Sequence, residues 1–222
     1  MNAPMTISSR KGMTRGEATR DRILEIAEAS VLAKGFSNTS IDEIIAAADI
    51  TKSGFFYHFR DKTDLAKALL ERFIHDDNAK LDAIFARGRD LSDDPLHGFL
   101  IGLKLFAEMM AELETAHPGC MVAAVAYHDK QFNTEVRGLN ATAVLGWRSR
   151  FLTALEEIAE RYPPRADVNL SHLADMLSAL ADGGIILSRV LDQPRLLSEQ
   201  ILLYRTFVRL VFLGAKIEGS DL

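Results

Sequence analysis

The sequence predicts an all-α protein of about nine helices: an N-terminal three-helix head carrying a helix-turn-helix, and a larger helical body. Three observations lead there. Apolar residues recur at helical spacing over most of the 222 residues, and no stretch of useful length alternates with the two-residue period of a strand. Capping chemistry marks the helix starts: Ser40-Ile-Asp-Glu43 is a capping box, and Asp94-Pro95 is an N-cap followed by a proline that a first helical turn accepts. Between residues 39 and 59, two short apolar-faced segments are separated by Asp49-Ile50 alone, too few residues for anything but a tight turn.

Residues 1–14 have no periodicity and read as a flexible arm. Arg10, Lys11 and Arg15 could reach a minor groove from it, with a solvated tail as the simpler reading. A helix over about 19–34 follows, its face made by Ile23, Ile26, Ala27, Ser30 and Val31. Gly35 is placed as a left-handed C-cap, and Phe36 can pack back on Val31 in a Schellman closure. The capping box opens a helix over about 41–48 with Ile41, Ile44 and Ile45 inward. Thr51 is the next N-cap, with Ile50 and Phe55 spaced as a hydrophobic staple over a short helix, about 52–57. Phe55, Phe56 and Phe59 cannot all face water, so some must lock that helix to the others.

Asp61-Lys-Thr-Asp64 caps a long helix over about 62–87, which at 1.5 Å per residue spans about 39 Å, enough to join a head to a body. Five more helices are expected, over about 95–115, 120–127, 130–161, 170–191 and 194–213, interrupted by His117-Pro-Gly119 and Tyr162-Pro-Pro-Arg165. The last is apolar nearly all round and must be buried on more than one side, which points to a second subunit. Gly183-Gly184 could be a hinge or a close helix crossing in a dimer bundle. The division expected is an arm at 1–14, a helix-turn-helix head at 15–61, and a larger helical body at 62–222.

Bulk composition narrows the class. Apolar residues make up 48% and charged residues 26%, as in a globular protein. A single cysteine excludes an intramolecular disulfide framework and fits a cytoplasmic setting. No apolar run reaches about 18 uninterrupted residues, so no membrane span is expected. The net charge is −5, but residues 1–60 hold eight Lys/Arg against seven Asp/Glu, so the acidic excess lies in the body. No paired carboxylates, nucleophile–base constellation, phosphate loop or metal motif is present to suggest an enzyme, and no cofactor is expected.

Helix, tight turn and short helix is the arrangement in which the second helix enters the DNA major groove. Thr51, Lys52 and Ser53 offer small or hydrogen-bonding side chains at its start. Gly54 costs about 1 kcal/mol of helix propensity relative to alanine, reasonable where DNA or another helix approaches closely. Tyr57, His58 and Lys62 can donate to phosphates, and Thr39 and Ser40 lie at a helix N-terminus, where free amides favour a phosphate. At these residues segment 19–70 resembles the N-terminal domain of the TetR/AcrR family of bacterial transcriptional regulators. The resemblance is carried by Arg22-Ile-Leu24, Lys34-Gly-Phe36, Thr39-Ser40, Asp42-Glu-Ile-Ile-Ala46, Thr51-Lys-Ser-Gly-Phe-Phe-Tyr-His-Phe59, Lys62 and Asp64-Leu65, in one unbroken register. It implies a homodimer on a (pseudo)palindromic operator, paired through the last two helices (about 170–213), and a ligand cavity in the body that alters the spacing of the two heads. It assigns double-stranded DNA contacts to Thr39, Ser40, Thr51, Lys52, Ser53, Tyr57, His58 and Lys62. Ser30 departs from the family, which usually has a larger apolar residue there, and puts local packing in question.

The function expected is a repressor whose operator binding is relieved by an unknown small, largely apolar effector. The alternative is an all-α hydrophobe carrier or enzyme with a vestigial head. Phe106, Met110, Cys120, Tyr127, Trp147, Phe151 and Met176 are the candidate effector-binding residues, against the simpler reading that they are core. Cys120 could be a redox sensor or a buried apolar residue. His97, His117, His128 and Cys120 fit no recognised zinc spacing, so no metal site is expected.

Overall fold

The computed structural model describes residues 14–214; Arg10 and Lys11 of the expected arm lie outside the described residues. The helices run α1 (Arg15–Lys34), α2 (Ile41–Ala47), α3 (Lys52–His58), α4 (Lys62–Asp90), α5 (Pro95–Ala111), α6 (Met121–Ala126), α7 (Thr134–Arg161), α8 (Leu170–Val190) and α9 (Leu196–Leu213). One 3-10 turn, Asp129–Gln131, precedes α7, and there is no strand among the described residues.

Four boundaries differ from the sequence reading by three residues or more: α4 runs on to Asp90 instead of 87, and the other three have local reasons. Helix α1 starts at Arg15 because Thr14 caps it. The Thr14 side chain accepts from the Glu17 amide at 3.2 Å, and Glu17 accepts from the Thr14 amide at 2.7 Å. Thr14 is therefore a helix cap and Arg15 a helical residue, not parts of an arm. Helix α5 stops at Ala111, not 115: Glu112 and Glu114 would add negative charge at the negative end of the helix dipole, and no buried partner offsets that. Helix α7 starts at Thr134, not 130, because the Asn133 side chain accepts from the Val136 amide at 2.9 Å.

The closure of α1 also differs. Gly35 has φ 82° and ψ 162°, a region open essentially to glycine alone, and not the left-handed helical conformation. Phe36 does not simply fold back on α1; it meets Phe132 edge-on, ring centroids 5.0 Å apart.

Two large cores divide the molecule, with a small third cluster of Ala107, Leu197 and Ile201 between α5 and α9. The first joins Ile23, Ala27 and Val31 of α1, Ile44 of α2 and Phe55 of α3 to Leu65 and Leu69 of α4, then continues into Met121, Val125 and Val136. The second gathers Phe85 of α4, Leu103 of α5, Phe151 and Leu155 of α7, Leu177 of α8 and Tyr204 of α9. Helix α4 serves both, its first half under the head and its second half in the body. Burying a side chain of this size contributes about 1.5–3 kcal/mol. The fully buried Tyr204 hydroxyl donates to the Leu173 carbonyl at 2.9 Å, fixing α9 against α8 without an unpaired polar group.

Glycines set the closest crossing. A Cβ on Gly88 would lie 2.4 Å from the Gly98 carbonyl oxygen and 2.8 Å from the Gly102 nitrogen, so α4 and α5 touch backbone to backbone. Gly88→Ala should lower stability by about 1–3 kcal/mol despite the better helix propensity of alanine. Gly138→Ala, at a helical site with open space, should instead gain up to about 1 kcal/mol. Urea unfolding of the two variants checks the pair; equal effects would remove the packing argument.

Gly184 is a second crossing point: its Cβ would lie 3.0 Å from the Leu197 Cα of α9, while Gly183 beside it faces open space. Both lie inside one unbroken helix, so the pair permits close packing and makes no hinge. The outer sides of α8 and α9 are apolar: Ile186, Leu187 and Val190 on one, Leu203, Phe207 and Leu210 on the other, all exposed. That outward row makes α8 long and apolar enough to cross a membrane by length and composition. Within α8, polar residues keep every uninterrupted apolar run short, which is why the sequence shows no span. The polar residues that interrupt α8 are engaged within the fold, Asp175 with Arg148 and Asp182 beside Cys120.

Candidate nucleic-acid interface and ligand cavity

The α2–α3 unit is built by two caps and a turn. Ser40 and Glu43 form the reciprocal capping box of α2. Asp49 takes φ 49°, a left-handed conformation that aspartate tolerates better than most residues, and turns the chain between the helices. The Thr51 hydroxyl then accepts from the Gly54 amide at 3.1 Å and lies 3.0 Å from the Ser53 hydroxyl. Phe55 and Phe59 are fully buried and lock α3 in place, while Phe56 stays 43% exposed. Thr51, Lys52 and Ser53 are left together on the surface at the start of α3, and Tyr57 is exposed at its end. His58 is half-buried; burial, then the nearby Arg20 charge, lower its pKa and favour the neutral ring. Arg20 also lies 5.1 Å over the Phe59 ring, which brings a cation of α1 to the same edge.

The remaining sequence candidates are placed differently. Thr39 is buried; its hydroxyl donates to the Gly35 carbonyl at 3.0 Å and meets the Ser30 hydroxyl at 3.1 Å. This explains Ser30 on the face of α1: a larger apolar residue would leave Thr39 without that hydroxyl. Lys62 donates to the Phe36 carbonyl, and burial lowers its pKa, so it closes the loop after α1 from behind. Ser40 is exposed at the start of α2, but Glu43 already brings a carboxylate there. Lys34 and the Ser40 amide hold that carboxyl down to about 2, so it stays charged. Gly54 has its close neighbour in the cap itself: a Cβ would meet the Thr51 hydroxyl oxygen at 3.3 Å.

A cavity of about 260 Å³ lies between the head and the body. Five sequence candidates line it together: Phe106, Met110, Cys120, Trp147 and Phe151. Tyr127 does not; it is 74% exposed at the end of α6, because the helix ends one residue before it and leaves it on the outside. Met176 packs against the second core away from the lining. Sequence reasoning missed the polar part of the wall: Glu28, Asp76, Asp77, Lys80, His117, Ser178 and Asp182. The signal was present in α4, where Phe73, Asp77 and Leu81 share one face and an acid interrupts an apolar stripe.

Burial raises the pKa of Glu28, Asp77 and Asp182. The Trp147 indole N–H donates to Asp77 at 2.8 Å and opposes that rise. Burial, followed by the Lys80 and Arg189 charges, lowers the pKa of His117. Cys120 faces Asp182, and burial with that neighbouring carboxylate pushes its thiol up to about 12. A sensor cysteine needs the thiolate, so this environment suits a buried structural thiol. No group of three or more His, Cys, Asp or Glu side chains able to hold a metal occurs among the described residues.

Head and body are tied at two places, the first of them beside the cavity. Arg72 of α4 reaches Asp21, Glu25 and Glu28 of α1 and Asp76 of its own helix, all within 4.0 Å. The loop after α1 is held by Phe36 against Phe132 and by Gln131, which donates to Ser37 at 2.8 Å. Glu28 and Leu32 of α1 are themselves part of the cavity wall, so an occupant would touch the head directly.

Comparison with known proteins agrees with this architecture. The sequence profile of bacterial regulatory proteins of the tetR family matches residues 23–69. The chain is 25% identical over 180 residues to the probable HTH-type transcriptional regulator ArpR of Pseudomonas putida, covering 78% of this chain and 81% of that protein. It is 27% identical over 165 residues to the transcriptional regulator AcuR of Cereibacter sphaeroides, covering 72% of each. The fold matches the crystal structure of regulatory protein TetR from Rhodobacter sphaeroides with a TM-score of 0.70 at 22% identity, over 85% of this chain and 97% of that one.

Proposed function

We propose that the chain is a TetR/AcrR-family DNA-binding transcriptional regulator, a cytoplasmic homodimeric repressor released from its operator by a small molecule bound between head and body, a reading supported by the matched head, the regulators it resembles and the shared fold. In this reading residues 15–61 are the DNA-binding head and residues 62–222 the effector-binding and dimerising body. The observation that carries the DNA part is the exposed cluster Thr51, Lys52 and Ser53 at the capped start of a helix held by the buried Phe55. Those side chains and the Gly54 backbone face the groove; Tyr57, His58 and Ser40 set the register on phosphates. Thr39 and Lys62 act from behind by fixing the loop between α1 and α2.

The outward apolar row of α8 and α9 joins the two subunits. Repression is relieved by linkage: an effector that prefers the head orientation unable to span both half-sites lowers operator affinity by that preference. Because α1 lines the cavity, the effector acts on the head through α1 and its Arg72 tether.

Lys52→Ala combined with Tyr57→Ala should weaken operator binding by about 100-fold or more, since both half-sites lose contacts, and should reduce the salt dependence of what remains. Fluorescence anisotropy with DNA flanking the gene measures this. The folded dimer and its ligand binding should survive. An unchanged DNA affinity would favour a carrier or enzyme with a vestigial head.

A further inference from the structure

We propose that the cavity takes a lipophilic organic cation, a small molecule with an aromatic or aliphatic body and one ammonium group, because its aromatic wall holds four acidic side chains against a single lining lysine. The apolar part is built by Phe73, Phe106, Trp147 and Phe151, with Met109 and Met110. Four acidic side chains also line it, Glu28, Asp76, Asp77 and Asp182, against one permanent cation, Lys80. Glu28 and Asp76 share Arg72, which stands outside the wall. Among the described residues, Asp77 and Asp182 have no Lys, Arg or His within ion-pair distance, and the Lys80 and Arg150 charges reach Asp77 only from farther away. Their contacts are the Trp147 N–H and the Cys120 thiol.

A carboxylate taken out of water beside a void is costly until a positive charge joins it. A neutral apolar ligand filling this cavity would displace water from those acids and return no hydrogen bond. An anion would meet four acids against one lining lysine. A bare metal ion has no three-ligand group to enter among the described residues. An organic ammonium satisfies both parts of the wall: its charge lies with Asp77 and Asp182, and its body stacks on rings whose faces attract cations. This replaces the largely apolar effector expected from the sequence with a charged one. The proposal rests on the reading of this cavity as the effector site, but its test reads the cavity directly.

Trp147 is the sole tryptophan and lines the cavity, so its fluorescence reports occupancy. The probes are phenyltrimethylammonium, its neutral isostere tert-butylbenzene, and benzoate, titrated into the intact protein. The cation should bind saturably and at least about tenfold more tightly than the isostere, and benzoate should not bind. Asp77→Asn, which keeps an acceptor for the indole, and Asp182→Asn should each reduce the cation's affinity several-fold while leaving that of tert-butylbenzene unchanged. Equal affinity for cation and isostere, tighter binding of benzoate, or no saturable response to the cation would overturn the proposal. The isostere comparison needs no variant, so a misfolded mutant cannot obscure it. Cation selectivity in a protein that binds no operator would leave this proposal standing and remove the regulator reading instead.

Discussion

Phe55→Ala should cost about 3–5 kcal/mol of stability and abolish operator binding, the largest effect expected from any single side chain in the head. Phe55 has no exposed surface. Its ring packs edge-on against Phe56 at 5.4 Å and tilted against Phe59 at 5.7 Å, and it belongs to the core that joins α1, α2 and α4. Helix α3 has only seven residues, too few to hold its shape without tertiary packing. The void left by alanine would therefore loosen the helix that presents Thr51, Lys52 and Ser53. Phe56→Ala, at a 43% exposed site, should cost less than about 1 kcal/mol. Chemical denaturation of both variants gives the comparison; similar losses at the two positions would mean that Phe55 is not the lock.

On the proposed dimer face, Leu203→Glu should leave a monomer, raising the dissociation constant at least about 100-fold, and operator affinity should fall with it. Leu203 is 57% exposed in the single chain, with Phe207 and Leu210 also exposed on α9, and Val190 of α8 is 76% exposed. A two-fold axis there would bring the row against its own copy, so one substitution places two carboxylates in one apolar contact. The chain's own cores contain none of these four residues, so helicity should remain intact. Sedimentation measures the assembly, and a dimer that survives the change would move the interface off this face.

Much of the head was legible in the sequence because its signals are local. A capping box, an N-cap, a staple and a two-residue turn are each decided within six residues, and Ser40, Thr51, Ile50 and Phe55 stand as their spacing implies. Thr14-Arg-Gly-Glu17 is the same capping pattern and was overlooked, since the turn it opens has no apolar face to draw attention. Thr39 and Lys62 show the limit of a residue-by-residue resemblance: a buried hydroxyl and an ammonium on a backbone carbonyl are facts of three dimensions. The cavity was half legible. Aromatic and methionine residues at helical spacing mark apolar volume, but they do not say which of them surround a void. Tyr127 and Met176 fell on the wrong side of that distinction. The acids of the wall come from α1, α4 and α8, and only packing brings Glu28, Asp77 and Asp182 together. The Gly88–Gly98–Gly102 crossing was likewise invisible, because its cause lies in the neighbouring helix and not in its own.

Quantitative footprinting of the purified protein on DNA flanking its own gene, repeated across salt concentrations, tests the central claim most directly. The account predicts protection of two half-sites related by a dyad, with affinity falling steeply as salt rises and far weaker binding to unrelated DNA. Binding that ignores sequence, or no protection at any salt, would contradict it.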